Sequence, residues 1–223
     1  MKIMKKCRLN IPEEYRKSNF SKESYDNLIE PYERVCKSME NRLRQLDGNY
    51  KERNGRSPIH SIEARVKSYA SIADKMQRKN LEPTCINAVN RIGDLAGVRV
   101  ICFYIEEIYA IVEDIKKLKN VIVLKEKDYV KNPKGNGYRS YHMVIGSKIP
   151  TQEEATYLPV EIQIRTIGMD WWASMEHQLC YKPLDGEEEA LRSDEMKRYS
   201  KRLYNLEKQM QKFYHPLEPH IDE

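Results

Sequence analysis

The chain has 223 residues, of which 40% are hydrophobic and 33% charged, enough for one domain with a full core and accessory helices. Its net charge of +5 suits anionic small ligands or weak RNA contact and does not indicate a dedicated nucleic-acid binder. Five scattered cysteines without a Cys-x-x-Cys pair argue against a disulfide framework or a zinc site and indicate a reducing compartment. Because neither a signal region nor a membrane-spanning run is visible, we expect a cytoplasmic protein.

The first half of the chain is predicted to be mainly helical. Residues 1–20 are polar and are expected to be flexible. Apolar spacing predicts a helix over 24–46, with a kink or late start at Pro31 and a stop at the turn-forming residues 47–49. Further along, the pattern predicts a strand over 59–66, a helix over 72–79 capped by Ser71, and a short helix after Pro83.

The second half alternates strands and helices. Strands are predicted over 95–104, 121–130, 141–149 and 157–166, helices over 106–118, 168–181 and 194–214, and an acidic linker over 183–189. The short connection between the last two strands indicates an antiparallel pair. The final helix either packs on its own domain or associates with another copy, and its coiled-coil-like spacing favours association. The fold class predicted is α+β: a mixed, roughly five-stranded sheet flanked by helices, with N- and C-terminal helices for oligomerisation.

One strand carries an unusual polar face. Residues 160–166 alternate strictly between apolar and polar side chains. Because side chains of a strand alternate between its two faces, one face buries aliphatic groups and the other presents Glu161, Gln163 and Arg165. On this stretch alone, a half-solvated outer face and the floor of a polar cleft are both open interpretations.

Other polar residues stand at strand and helix boundaries. Asp94 precedes a strand, where a lone Asp usually forms a turn, but with Glu161 it could hold Mg²⁺. Arg99 in mid-strand is either an exposed-face residue or a ligand that stacks or binds phosphate. The basic run that begins at Arg65 is either a solvated surface or a phosphate site.

The clearest loop lies within 131–142. Its glycines allow the backbone to approach a ligand closely, and Lys131, Lys134 and Arg139 add positive charge. Tyr138 could stack on a base. The plainer alternative is a basic hairpin connection with a core tyrosine.

Four segments, 91–99, 132–142, 161–166 and 172–182, together resemble the RelA/SpoT alarmone synthetase domain in order and approximate spacing. The resemblance extends over about residues 20–215 and implies a small, single-domain synthetase. Such enzymes transfer the β,γ-pyrophosphate of ATP to the ribose 3′-hydroxyl of GDP or GTP, with GMP as a further candidate acceptor, and release AMP. No His-Asp dipeptide is present, so the hydrolase activity of the longer relatives is not expected.

The resemblance also implies a role for each matching residue. Glu161 is implied as the general base, and Asp94 and Glu161 as ligands of Mg²⁺. Arg65 and Arg99 match arginines that sandwich adenine; Lys67, Ser71 and Lys75 match ATP-phosphate ligands, with Arg78 and Lys79 in the same region. The acceptor contacts implied are Lys131, Lys134, Tyr138, Arg139, His142, Gln163 and Asp170.

Among these acceptor residues, Tyr138 matches a tyrosine that stacks on guanine. Asp170 is placed to accept the guanine N1–H and N2–H groups, which adenine does not offer. Arg165 is interpreted as a structural salt bridge, and Trp171 and Trp172 as core residues. His177 either supports the site or is a structural histidine.

The resemblance divides the chain into a flexible N-terminus (1–20), a synthetase domain (21–182) and a linker with an oligomerisation helix (183–223). The partners implied are ATP, guanine nucleotides and three further copies in a homotetramer, with single-stranded RNA or alarmone as regulators at a cleft lined by residues 59–64. Two alternatives stay open: a toxin-type relative that pyrophosphorylates tRNA or adenosine nucleotides, and a non-catalytic RNA-binding module. The presence of both Asp94 and Glu161 argues against the second.

Overall fold

The computed structural model describes residues 18–92, 94–148, 157–179 and 186–214. Helix α1 (Lys22–Asn54) begins with a capping box, in which Ser21 Oγ accepts from the Ser24 N–H and Ser24 Oγ accepts from the Ser21 N–H. It runs through Pro31 and ends at Gly55, whose φ of 75° suits glycine.

The predicted end of this helix at residues 47–49 is wrong. Tertiary contacts override the local turn signal: the Asp47 carboxylate accepts from the Ile59 N–H at 3.1 Å, and the Tyr50 hydroxyl donates to Asp114 at 2.8 Å. These contacts favour continuation of the helix because they are made by side chains on its last turns.

The sheet contains five strands: β1 (Ile59–Val66), β2 (Ala96–Cys102), β3 (Val121–Asp128), β4 (Tyr141–Lys148) and β5 (Tyr157–Thr166). Their order across the sheet is β1-β2-β5-β4-β3. β2 and β5 are parallel, whereas the other neighbouring pairs are antiparallel. The prediction of a mixed five-stranded sheet is therefore confirmed, including the antiparallel pairing of the last two strands.

The remaining helices are α2 (Tyr69–Arg78), α3 (Cys85–Arg91), α4 (Ile105–Lys117), α5 (Ile167–Leu179) and α6 (Gly186–Tyr214). Ser68, not Ser71, caps α2: its Oγ accepts from the Ser71 N–H at 3.3 Å. The two serines lie three positions apart, and Ser71 occupies the first turn of the helix.

One face of the sheet is packed against helices. The apolar residues of β5 that alternate with Glu161 and Gln163 are fully buried, as are Met39 of α1 and Ile111 of α4. Burying each such side chain contributes about 1.5–3 kcal/mol. The aliphatic face is thus fixed in the core, and the polar residues of β5 lie on the opposite face.

Two expectations about the chain termini change. Phe20 is buried and stacks on Tyr69 with ring centroids 5.1 Å apart, and Asn19 forms a bridge with Thr84. Residues 18–20 are therefore packed, while 1–17 lie outside the described residues. Helix α6 begins at Gly186, so residues 186–189 of the predicted linker at 183–189 are helical, while its first residues lie outside the described part of the chain.

Cys36, Cys85 and Cys102 are buried and carry free thiols. Within the described ranges, no helix is sufficiently long and apolar to cross a bilayer.

Candidate active site

The polar face of β5 forms the floor of a cleft, which resolves the choice left open by the sequence. Strand pairing places Glu161 beside Gly97 of β2, and Gln163 between Arg99 of β2 and His142 of β4. Because Gly97 has no side chain, the space next to the Glu161 carboxylate stays open. A cavity of about 300 Å³ lies there, and its polar lining comprises Glu63, Arg65, Lys67, Ser68, Ser71, Asp94, Arg99, Glu161 and Gln163.

Asp94 is held by two lysines at one end of this cavity. Lys67 Nζ and Lys75 Nζ each donate to its carboxylate at 2.8 Å. Burial raises the pKa of Asp94, but the two lysine hydrogen bonds outweigh this effect and the net pKa lies below its ordinary value. Asp94 is therefore an ionised carboxylate surrounded by phosphate-binding types of side chain.

From the two lysine contacts we predict that Asp94→Asn lowers the stability of the fold at neutral pH. A depressed carboxyl pKa stabilises the fold above the unfolded-state pKa, and that stabilisation disappears as the pH falls through the lower folded-state pKa. We expect wild type to have the higher Tm at pH 7 and the Tm gap to narrow below about pH 4, the ordinary pKa of Asp. Thermal melts of both proteins across pH 3–7 check this. A gap that is independent of pH would contradict it.

Glu161 is held by residues on both sides. Its Oε1 lies 3.4 Å from His142 Nδ1, and its Oε2 accepts from Gln163 Nε2 at 3.0 Å. The His142 hydrogen bond is the main cause of a lowered pKa for Glu161; burial opposes it and Gln163 reinforces it. The side chain is 23% exposed, so an ionised carboxylate is accessible from the cleft.

These contacts belong to a closed ring of five side chains. Arg165 Nη2 donates to both Gln163 Oε1 and the Tyr138 hydroxyl at 2.6 Å. The Tyr138 hydroxyl lies 2.8 Å from His142 Nε2, and His142 and Gln163 both meet Glu161. The Tyr138 hydroxyl can donate to His142 Nε2 while it accepts from Arg165, and in that arrangement His142 Nδ1 carries a proton that faces Glu161.

Asp170 connects this ring to the first cavity. Its Oδ1 accepts from Arg165 Nη1 at 3.1 Å and lies 3.8 Å from Arg99 Nη1. The side chain is 28% exposed. A second cavity of about 410 Å³ adjoins it, lined by Arg99, Tyr138, Arg165, Ala173, Ser174, Glu176, His177 and Gln178. Arg99 therefore borders both cavities, and β5 contributes Glu161 and Gln163 to the first and Arg165 to the second.

Most residues singled out by the sequence meet at these two cavities. Arg65, Lys67, Ser71, Asp94, Arg99, Glu161 and Gln163 line the first cavity, and Lys75 reaches it through Asp94. Tyr138 and His142 belong to the hydrogen-bonded ring of side chains, and Asp170 contacts that ring through Arg165. Lys134 Nζ lies 4.6 Å from the centre of the Tyr138 phenol ring.

Lys131 and Arg139 are not brought to the cleft. Lys131 Nζ lies 3.9 Å from Asp128 and 4.6 Å from the centre of the Tyr109 ring. The Arg139 guanidinium donates to the Val130 carbonyl and lies 4.1 Å from the centre of the Tyr204 ring. Lys131 therefore lies against β3 and α4, and Arg139 lies against α6.

Trp172 is buried as interpreted from the sequence, whereas three further residues, Trp171, Arg78 and Lys79, differ from that interpretation. Trp172 is buried and donates from Nε1 to the Met196 carbonyl at 2.8 Å, whereas Trp171 is 54% exposed and does not belong to the core. Arg78 pairs with Asp74 on the surface, and Lys79 donates to the Arg91 carbonyl.

One residue that lines the first cavity, Glu63, was missed. Glu63 lies opposite Arg99, and its Oε2 is 3.5 Å from Arg99 Nη1. The alternation of β1 carries the signal for it, because Glu63 stands two positions before Arg65. Lys127 of β3 lies opposite His142, a placement that only the strand register reveals.

Comparison with known proteins is consistent with this geometry. The family described as "Region found in RelA / SpoT proteins" matches residues 64–185. GTP pyrophosphokinase YwaC of Bacillus subtilis is 36% identical over 188 residues, covering 84% of this chain and 89% of that protein. GTP pyrophosphokinase YjbM of the same organism is 32% identical over 158 residues, covering 71% and 74%.

Solved structures agree as well. Small alarmone synthetase 1 of B. subtilis, bound to its product pppGpp, matches with a TM-score of 0.74 and 28% identity, covering 86% of this chain and 97% of that one. Small alarmone synthetase 2 of B. subtilis matches with a TM-score of 0.72 and 33% identity, covering 86% and 99%. The resemblance seen in the four sequence motifs is thereby confirmed, and the chain belongs to the RelA/SpoT family.

Proposed function

We propose that the chain is a (p)ppGpp synthetase, which transfers the β,γ-pyrophosphate of ATP to the 3′-hydroxyl of GDP or GTP and releases AMP. The observation that carries this proposal is the position of Glu161. Its carboxylate faces a cavity rich in Arg and Lys side chains and is linked through His142 to Tyr138 beside a second cavity. A base between two nucleotide sites is what a transfer between two nucleotides requires.

The first cavity is proposed as the ATP site. Arg65 and Arg99 provide planar guanidinium groups that stack on an adenine ring. Lys67 and Ser71 lie at or near the N-terminus of α2, where positive charge and the helix dipole favour phosphates. Lys75, on the last turn of α2, adds its charge to the cavity through its contact with Asp94. The polyphosphate chain then runs from these residues toward Glu161.

The second cavity is proposed as the acceptor site. Tyr138 offers a ring for guanine, and Lys134 above that ring supplies charge for the acceptor's phosphates. Asp170 Oδ1 already accepts a hydrogen bond from Arg165 Nη1. We therefore propose Oδ2 as the main acceptor for the guanine N1–H and N2–H groups. These contacts favour guanine over adenine.

Mg²⁺ is the proposed cofactor, and the residues present fit it. Asp94 and Glu161 line the same cavity, and they are close enough to each other for the charge of Asp94 to act on Glu161 and raise its pKa. Within the described residues, no group of three or more His, Cys, Asp or Glu side chains is arranged for a metal. Two carboxylates are sufficient because Mg²⁺ completes its shell with water and phosphate oxygens. When bound, the ion neutralises charge on the ATP phosphates.

The chain's own residues then carry the transfer. The cleft aligns the acceptor's 3′-oxygen with the β-phosphorus; an O–P bond forms there, and the bond from that phosphorus to the α,β-bridging oxygen breaks. Glu161 takes the hydroxyl proton, and AMP leaves with the bridging oxygen. Because the pKa of Glu161 is lowered, the carboxylate is ionised at neutral pH. The base is weak, so positioning and charge neutralisation supply most of the acceleration.

An acceptor panel tests the proposed function. Purified protein is incubated with Mg²⁺, ATP and one acceptor at a time: GMP, GDP, GTP, ADP or tRNA. We expect AMP and a pyrophosphorylated guanine nucleotide in the guanine reactions. Product from tRNA or ADP with none from the guanine nucleotides would instead support a toxin-type relative.

Tyr138 gives a matched pair of variants for the acceptor site. Tyr138→Ala should raise the GDP KM by the stacking energy, about 1–3 kcal/mol, or roughly 5- to 150-fold. Tyr138→Phe keeps the ring and should retain most GDP affinity, although it loses the hydroxyl contacts to His142 and Arg165. Initial rates at saturating ATP measure both. An unchanged GDP KM in Tyr138→Ala would exclude stacking.

A homotetramer is also proposed. Its support is the apolar surface of α6, where the seam residues Tyr199, Leu206, Met210 and Phe213 are exposed while Met196 is buried within the chain. Regulation by alarmone or single-stranded RNA along residues 59–64 stays a prediction; the exposed Phe103 ring beside His60 on this edge could take part in stacking. A cytoplasmic location likewise stays an expectation from cysteine usage.

A further inference from the structure

Helix α6 packs closely against two glycines that lie next to residues of the proposed acceptor site. Gly137 precedes Tyr138, and a Cβ on Gly137 would lie 2.9 Å from Lys197 Cα and 3.0 Å from Ser200 Cβ. Gly168 precedes Asp170 by two positions, and a Cβ there would lie 2.6 Å from Glu207 Oε1. Gly137 thus permits a close approach to the α6 backbone that a larger residue would obstruct, whereas a side chain at Gly168 would displace the Glu207 carboxylate.

At the first glycine, α6 holds the loop that presents Tyr138. Ser200 is 5% exposed, and its hydroxyl donates to the Gly137 carbonyl. On the other side of Tyr138, the Arg139 guanidinium packs on the Tyr204 ring. Gly137 itself has a φ of +97°, which favours glycine. The backbone is therefore fixed by α6 immediately before and after the ring proposed to stack on guanine.

At the second glycine, α6 holds the first turn of α5. Glu207 Oε1 accepts from the Gly168 N–H at 3.1 Å. This N–H is one of those that a helix N-terminus leaves without a partner inside the helix, so Glu207 acts as a cap supplied from a distant part of the chain. Asp170 lies in the same turn. One turn further along, Trp172 Nε1 donates to the Met196 carbonyl.

We propose that α6 positions the guanine-nucleotide site, with Ser200 holding the Tyr138 loop and Glu207 holding the turn that carries Asp170. Both are positioning residues, because they hold the backbone beside Tyr138 and Asp170 and do not line either cavity of the cleft. The inference rests on the proposed function and assigns α6 a role within each chain, in addition to any role in association.

Glu207 offers a conservative pair of variants. Glu207→Ala removes the acceptor for the Gly168 N–H, whereas Glu207→Gln keeps a side-chain oxygen at the same reach. If the whole free-energy cost of losing one capping interaction appears as weaker GDP binding, Glu207→Ala should raise the GDP KM about fivefold. We expect an unchanged ATP KM and recovery of most GDP affinity in Glu207→Gln. The control is Asn205→Ala, on the exposed side of α6.

The measurements are GDP KM at saturating ATP, ATP KM at saturating GDP, and the Kd of a fluorescent GDP analogue, all below the Tm of each variant. Ser200→Ala tests the other contact and should also raise the GDP KM without changing the ATP KM. If Glu207→Ala does not fold, this variant decides whether α6 positions the site. Equal GDP KM and Kd in wild type and in the folded Ala variants, with only a lower Tm, would overturn the inference. If the wild-type protein binds the GDP analogue but forms no product, the proposed transfer is contradicted. The comparison of analogue Kd between wild type and variants then still decides the role of α6.

Discussion

Glu161→Gln is expected to reduce pyrophosphate transfer by at least about 100-fold, since general base catalysis commonly contributes 10²–10⁴-fold. The amide cannot take the proton of the 3′-hydroxyl and is a poorer ligand for Mg²⁺. The fold should persist because a Gln oxygen can still accept from His142 Nδ1, the contact that Glu161 makes. Initial rates at saturating ATP and GDP, together with the Tm, check this expectation.

The matched control is Glu113→Gln, because Glu113 is a 60% exposed carboxylate on α4 that pairs only at the surface with Lys116. That variant should retain wild-type rates. A Glu161→Gln protein that turns over as fast as wild type would remove Glu161 from the role of base.

Arg165→Met is expected to weaken GDP binding more than ATP binding. The substitution removes hydrogen bonds to Tyr138, Gln163 and Asp170 from a side chain that is only 8% exposed. Breaking a buried ion pair costs about 3–5 kcal/mol, and the 28% exposure of Asp170 places this pair below that range. We expect a lower Tm and a GDP KM raised by more than about tenfold, or 1.4 kcal/mol.

Arg165→Lys separates charge from geometry. Lysine keeps the positive charge but cannot form the forked contact to three partners, so it should recover part of the Tm and little of the GDP affinity. Arg44→Met, at an exposed Arg that pairs with Glu40 on α1, controls for loss of a surface charge. Wild-type GDP KM and Tm in Arg165→Met would show that the ring does not organise the acceptor site.

The role of Arg165 shows where sequence reasoning reached its limit. Alternation along β5 predicted a polar face correctly because side-chain direction in a strand is a local property. The same reasoning left Arg165 as a salt bridge, since its contacts with Tyr138 and Asp170 depend on a loop and a helix joined by the fold. Its pairing with Asp170 is observed, but it also connects Tyr138 and Gln163, which belong to the proposed acceptor site.

Lys131 and Arg139 show a second limit, because the structure places neither side chain in the lining of the two cavities. Their place in a basic, glycine-containing loop indicated phosphate contacts, yet each side chain lies against an aromatic ring distant in sequence, Tyr109 or Tyr204. Composition of a loop predicts its charge but not the direction of each side chain. The end of α1 was misplaced for a similar reason, because Asp47 is engaged by the backbone of β1.

The position of the transferred group tests the central proposal most directly. Wild-type protein is incubated with Mg²⁺ and ATP labelled either at the α- or at the γ-phosphate, with GDP, 2′-deoxy-GDP or 3′-deoxy-GDP as acceptor. We predict that γ-label appears in a pyrophosphorylated product of GDP and 2′-deoxy-GDP, that α-label appears in AMP, and that 3′-deoxy-GDP yields no product. Product from 3′-deoxy-GDP, or release of ADP in place of AMP, would contradict pyrophosphate transfer to the 3′-hydroxyl.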